Sequence, residues 1–241
     1  MAFCLQKQDA ILFLFPTPIA QCDVEDCLPK KNLELLLLCD CFVVEELRTA
    51  RRFLRKAGYK KDFEQVEFFV LNEHTVNDDF SPCIEILKSG RHIGVMSEAG
   101  LPCVADPGSV LVALCQREGF EVVPLCGPSS LMMALMASGF NGQSFAFVGY
   151  LPAERSQREK RIRELERVAY RFSQTQLFIE APYRNNNLLE SILGVCNPQT
   201  MLCLATDIGE QSRQIITKSI AEWRKTKIDL NKRNTVFLIS K

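Results

Sequence analysis

The chain has 241 residues, 47% of them hydrophobic, with Lys plus Arg and Asp plus Glu balanced at 29 each. That leaves room for one large or two small domains with a sizeable core. It also excludes a global electrostatic pull toward nucleic acid or anionic membrane, so such a partner must be met by a local patch. The 11 cysteines are odd in number, scattered, and mostly set in apolar runs such as "LLLLCDCFVV" and "MLCLAT". They read as small core hydrophobes in a reducing compartment. There is no C-x-x-C pair, and His74 and His92 are remote from any cysteine pair, so free thiols and no metal site are expected. "ILFLF" is far too short to span a bilayer. With charges before it and prolines after it, the N-terminal stretch does not read as a signal peptide, and a cytoplasmic location without membrane contact is expected.

Apolar runs and helical spacings alternate from the start: strand "AILFLF", a helix about 30–38, strand "CFVVE", a helix about 47–57, strand "QVEFFVL", a helix about 82–88. Strand "HIGVMS", the helix after Pro107 and strand "FEVVPLC" complete a first domain, 1–126. That alternation predicts an α/β layer structure on a parallel sheet. After Cys126 the pattern changes. A helix in "GPSSLMMALMASG" is followed by strands "FAFVGY", "QLFIEA", "MLCLATDI", "RQIITKSI" and "NTVFLIS" with fewer helices between them. Late strands adjoining in sequence predict a mixed or antiparallel sheet in a second α/β domain, 127–241. No internal repeat or low-complexity segment is visible.

The stretch "IGVMSEAGLPCVADPGSVLVALCQREG" is a strand, a long Gly- and Pro-punctuated turn and a helix. A loop at the carboxyl end of a parallel strand is where open α/β sheets bind ligands. Neither G-x-G-x-x-G nor G-x-x-x-x-G-K-[ST] is present, so a phosphate cradle is the weaker reading, and a tight connection with no ligand stands level with a ligand-holding loop. "FPTPIA" ends the first strand in two prolines that fix an extended turn. "VEELRTARRFL" sets Glu45 and Glu46 at the end of the second strand with Arg48 following. In "CGPSS", Ser129 or Ser130 can cap the next helix, and the same free N–H groups suit a ligand carboxylate. "IEAPYR" places Glu180 and Arg184 around a proline turn, either as a buried pair or as a polar site. "ERSQREKRIRELERVAYR" is a helix of interleaved charges, suited to i,i+4 pairing, whose net sign is positive.

Together, "FPTPIA", "VEELR", "NEHT", "VMSEAGLPCVADPG", "CGPSSLMMALMASG", "FVGYLP" and "IEAPYR" fall in an order that resembles the ribosomal small-subunit RNA ribose-2′-O-methyltransferase I family of the tetrapyrrole methylase superfamily. The resemblance runs from about Leu12 to the last strand. It implies a two-domain tetrapyrrole-methylase-like α/β fold and S-adenosylmethionine bound in the cleft between domains of a homodimer. By the same resemblance Pro18, Ser97, Glu98, Ala99, Gly100, Val104, Pro128, Ser129 and Ser130 lie against the cofactor. Backbone near Ala181 and Ala205 touches its adenine and ribose.

The implied activity is methyl transfer from S-adenosylmethionine to ribosomal RNA, with RNA or the small subunit as partner. A ribose hydroxyl must lose its proton, and Glu45, Glu46, His74 and Glu180 are candidates to accept it or to position the hydroxyl. Arg48 and Arg184 are candidate phosphate or carboxylate partners. The alternatives are methylation of a small molecule such as a tetrapyrrole-like ring, and a cofactor-binding protein without turnover. Several positions depart from the family pattern: Glu46 and Glu98 stand for aspartates, Leu47 for a threonine, and Ala20–Gln21 for a glycine-asparagine pair. For an RNA substrate, a basic border is expected from Arg51, Arg52, Arg55 and Lys56, and from Arg155, Arg158, Arg161 and Arg163.

Overall fold

The computed structural model describes residues 10–72, 74–75 and 79–241. The leader reading of the first nine residues, Cys4, and Glu73 of "NEHT" therefore lie outside the described residues. The chain divides into two compact units, 1–129 and 130–241, where the sequence pattern placed the change after Cys126.

In the first unit the elements are β1 (Ile11–Phe15), α1 (Val24–Cys27), α2 (Lys30–Leu36), β2 (Cys41–Val44), α3 (Leu47–Lys56), β3 (Glu67–Val70), α4 (Ser81–Lys88), β4 (Ile93–Met96), α5 (Ser109–Arg117) and β5 (Glu121–Pro124). The five strands form one sheet in the order β3-β2-β4-β1-β5, and every pairing is parallel. Strands β2, β4 and β1 are central and covered on both faces, which is why they read as near-continuous apolar runs and not as alternating ones. Successive side chains enter opposite layers. Phe13, Phe15 and Phe42 pack with Leu54 and Tyr59, while Leu12, Val43 and Val95 pack with Leu87, Leu111 and Cys115. A parallel sheet brings all its strand ends with their following loops to one edge, and that edge carries the site.

The second unit contains α6 (Ser130–Ser138), β6 (Phe145–Tyr150), α7 (Arg155–Phe172), β7 (Thr175–Ile179), α8 (Asn185–Val195), β8 (Met201–Thr206), β9 (Gln214–Ser219), α9 (Ile220–Trp223) and β10 (Thr235–Ser240). Its sheet runs β6-β7-β10-β8-β9. The β6/β7 pair is parallel and the other pairings are antiparallel, so the sheet is mixed. Its core holds stacked Phe178 and Phe237, with ring centroids 5.8 Å apart, and the buried Trp223, whose indole N–H donates to the Leu202 carbonyl at 2.8 Å.

One expectation for this unit is corrected. Arg158, expected on a basic surface, is buried. Its guanidinium donates to Ser191 Oγ at 3.0 Å and to the Ala153 carbonyl at 2.8 Å, pinning the start of α7 to α8. The charge pattern of the helix could not separate this arginine from its neighbours, because its partners are neutral groups.

Candidate functional site

Three adjacent strand ends meet at the loop 97–108. The end of β1 is tied to it by a reciprocal backbone bridge: Thr17 N–H donates to the Gly100 carbonyl at 2.9 Å, and Gly100 N–H to the Thr17 carbonyl at 3.1 Å. Thr17 Oγ1 adds a bond to the Ser97 carbonyl at 3.2 Å. From the end of β2, Glu45 Oε1 accepts the Glu98 N–H at 2.9 Å. From the first turn of α3, the Thr49 hydroxyl donates to Glu98 Oε1 at 2.5 Å.

The loop is also braced from within. Gly100, Cys103 and Ala105 all take positive φ, at 82°, 67° and 65°. Asp106 spans the strained part by accepting the Cys103 N–H at 2.8 Å and the Gly108 N–H at 2.7 Å. Non-glycine residues in that region persist only where surrounding bonds over-determine them, and the Asp106 carboxylate is that over-determination.

Beside this loop lies a pocket of about 260 Å³ formed wholly within the first unit. Its apolar lining is Val24, Ala50, Phe53 and Met96; Thr17, Cys22, Thr49, Ser97 and Glu98 give it polar atoms, and Arg52 and Lys56 supply positive charge. Ser97 Oγ is buried and makes no hydrogen bond among the described residues. A buried hydroxyl without a partner is costly, and Ser97 is one of the residues that line this pocket. Gly100 is itself closely packed: a side chain there would start 3.2 Å from Ile19 Cγ2 and 3.5 Å from the Pro128 carbonyl oxygen. The unpartnered Ser97 hydroxyl on a loop without a phosphate cradle fits the seat that S-adenosylmethionine needs.

The electrostatics sort the carboxylates. Burial pushes the Glu45 carboxyl up, with Asp106 and Glu98 adding to the rise and the Glu98 amide opposing it. Asp106 is also raised by burial, against the pull of its two amide bonds. Glu46 moves the other way: its oxygens accept the N–H groups of Arg48 at 2.9 Å and Thr49 at 2.7 Å, which lowers its pKa. Glu46 is thus the N-cap of α3.

Of the candidate proton acceptors, Glu45 sits at the loop, while Glu46 is engaged in capping. His74 is exposed in the turn after β3, away from the pocket lining, with its N–H on Asn72 Oδ1 at 2.9 Å. The carboxylate that borders the pocket is Glu98, which the family resemblance had placed with the cofactor. Arg48 is exposed on α3. Among the expected cofactor contacts, Pro18, Ser97 and Glu98 line the pocket; Ala99 and Val104 are exposed on the loop. Pro128 and Ser129 close the first unit and Ser130 begins α6.

In the second unit, Glu180 is buried and pairs with the partly exposed Arg184. Arg184 Nη2 and Nε donate to Glu180 Oε1 at 2.6 and 3.0 Å, and the same oxygen accepts the Ala181 N–H at 2.7 Å. Ala181 precedes the short turn 182–184. Ala205 is buried in β8 between β10 and β9.

The expected basic border narrows sharply. The Arg51 and Arg55 guanidiniums lie 5.5 and 3.8 Å from the Phe63 ring centroid, and Arg55 Nη1 also donates to the Tyr59 and Lys61 carbonyls. Arg155 and Arg163 pair with Glu159, and Arg161 with Glu164. Arg52 and Lys56 remain exposed on α3.

No protein-family profile matches the chain. Among curated proteins, Ribosomal RNA small subunit methyltransferase I of Vibrio cholerae is 32% identical over 88% of this chain and 69% of its own length. The protein of the same name from Thermotoga maritima is 33% identical, covering 88% and 89%. The Bacillus subtilis protein of that name is 30% identical, covering 92% and 72%. Among solved structures, the methyltransferase CobJ superposes with a TM-score of 0.63 at 18% identity, over 97% of this chain and 94% of that one, a likeness of fold. With about a third of the aligned residues shared along most of both sequences, the chain belongs to the ribosomal RNA small subunit methyltransferase I family.

Proposed function

We propose that the chain is an S-adenosylmethionine-dependent methyltransferase that modifies small-subunit ribosomal RNA, with a ribose 2′-hydroxyl as acceptor. Family membership supports the enzyme class and the RNA. The observation on this chain that carries the reading is the unpartnered Ser97 Oγ beside Gly100, where the ends of β1, β2 and β4 converge. When bound, S-adenosylmethionine supplies an electrophilic methyl group on a positive sulfur.

The work left to the protein is mainly alignment, since holding nucleophile and electrophile at reacting distance supplies much of the acceleration. Thr17, Glu45 and Thr49 fix the loop from three elements, so the stretch carrying Ser97 and Gly100 is held in one conformation. The Glu98 carboxylate, held by Thr49 at the pocket, is placed to orient the acceptor hydroxyl and take its proton. Glu45 acts through Glu98, by holding its backbone.

A homodimer and a cytoplasmic setting belong to the same reading. No helix among the described residues is long and apolar enough to cross a membrane. The test is incubation with methyl-labelled cofactor and, separately, small-subunit particles, total RNA and a small-molecule extract. Label in the 16S-type RNA of the particles supports the reading, and label only in the extract overturns it.

A further inference from the structure

Resting on that reading, we propose that the pocket between β1, α1 and α3 seats the acceptor nucleotide itself, and that Arg52 and Lys56 bind the phosphates flanking it.

Four observations converge on this pocket. Its volume, about 260 Å³, lies below the roughly 300–1,000 Å³ of pockets that enclose a whole drug-sized ligand. That size suits a single nucleotide better than a fully enclosed macrocycle. Its lining is divided as a nucleotide is divided. Val24, Ala50, Phe53 and Met96 offer an apolar wall to a flat base, Glu98 offers a carboxylate to a hydroxylated sugar, and Arg52 and Lys56 offer charge to phosphate.

The two cations are also available. Arg51 and Arg55, on the same helix, are engaged by the Phe63 ring and by carbonyls, and on α7 Arg155, Arg161 and Arg163 pair with glutamates while Arg158 is buried. Arg52 and Lys56 have no ion-pair partner among the described residues. They stand one helical turn apart, about 6 Å along the axis at 1.5 Å per residue, and both border the same pocket. Finally, the Glu98 carboxylate lies in the lining with its Oε1 on Thr49, so a seated sugar places its hydroxyl beside a proton acceptor. A balanced net charge is compatible with this arrangement, because local cations are enough to hold a phosphate.

The test uses the full chain, a mixed-sequence single-stranded RNA and small-subunit RNA, with binding followed from ~50 to 200 mM salt. Arg52→Ala and Lys56→Ala should each weaken RNA binding. Each should also make the slope of log affinity against log salt shallower by about 0.7, the share of one phosphate contact on single-stranded RNA. Lys56→Arg should retain the parent slope, and Arg155→Ala should change neither quantity. Affinity for S-adenosylhomocysteine, measured by calorimetry, should be the same in all variants.

If Arg52→Ala and Lys56→Ala bind RNA with the parent slope, the phosphate assignment is overturned while the RNA methyltransferase reading stands. Loss of S-adenosylhomocysteine affinity in those variants would make this pocket part of the cofactor seat and would also overturn the assignment. Absence of RNA binding by the parent protein would overturn the functional reading and this inference with it.

Discussion

The Thr49 hydroxyl donates to Glu98 Oε1 at 2.5 Å, joining the first turn of α3 to the loop after β4 at the edge of the pocket. Removing the hydroxyl with the near-isosteric Thr49→Val frees the carboxylate without emptying a core position. Because Glu98 is exposed, stability should stay within about 0.5 kcal/mol of the parent. Methyl transfer should slow by about tenfold or more, since a misplacement of ~1 Å at a reacting group can cost up to ~100-fold. Steady-state kinetics should show the change in kcat with KM for the cofactor unaltered. An unchanged kcat would remove Glu98 from the chemistry.

Gly100 has a φ of 82° and exchanges two backbone hydrogen bonds with Thr17. A side chain in that conformation costs roughly 1–2 kcal/mol, and here it would also start 3.2 Å from Ile19. Gly100→Ala should lower the unfolding free energy by about that amount and weaken S-adenosylhomocysteine binding. Denaturant melts and calorimetry on the same preparation read the two effects separately.

The raised Glu45 pKa makes a pH-dependent statement. A carboxyl whose pKa is higher in the folded chain contributes stability that is full below the ordinary glutamate value, about 4.3. That contribution is lost as pH rises through the folded value. At neutral pH the half-buried charge therefore burdens the fold. Glu45→Gln keeps an acceptor for the Glu98 N–H and carries no charge. Its Tm should exceed the parent's near pH 7, and the difference should vanish below about pH 4. A Tm below the parent's at pH 7 would show that the carboxylate itself is needed to hold the loop.

The site was only partly legible in the sequence, and the reason is physical. The strand ends were readable because β1, β2 and β4 are buried on both faces and appear as apolar runs. The loop 97–108 was readable from its glycines and prolines. What spacing could not give was partnership. Glu45 and Glu46 are adjacent carboxylates with opposite fates, one receiving an amide from a loop 53 residues away and the other capping its own helix. Arg51, Arg52 and Arg55 look alike in "TARRFLRK", yet the Phe63 and Phe68 rings that occupy Arg51 come from a later segment. The pocket was missed because its wall includes Val24, from a four-residue helix too short to leave a periodic signal. The cue that was available is the i,i+4 placement of Arg52 and Lys56 on a helix whose other face, Ala50 and Leu54, is apolar.

In the second unit, the Glu180 side chain is 1% exposed and that of Arg184 31%. The two partners should therefore respond unequally to truncation. Arg184→Ala strands a buried carboxylate and should cost about 3–5 kcal/mol. Glu180→Ala leaves an arginine that water can reach and should cost less, about 1–3 kcal/mol. Chemical denaturation of both variants gives the order, and equal losses would mean that Glu180 is not buried in solution.

The central claim, transfer of a methyl group to a ribose hydroxyl of RNA, is tested most directly by alkaline hydrolysis of RNA labelled by the protein. A methylated 2′-oxygen cannot attack the adjacent phosphate, so the modified linkage survives alkali. The account predicts that label from the small-subunit particles is recovered in an alkali-resistant dinucleotide. Recovery of all label in mononucleotides would place the methyl group on a base and contradict it.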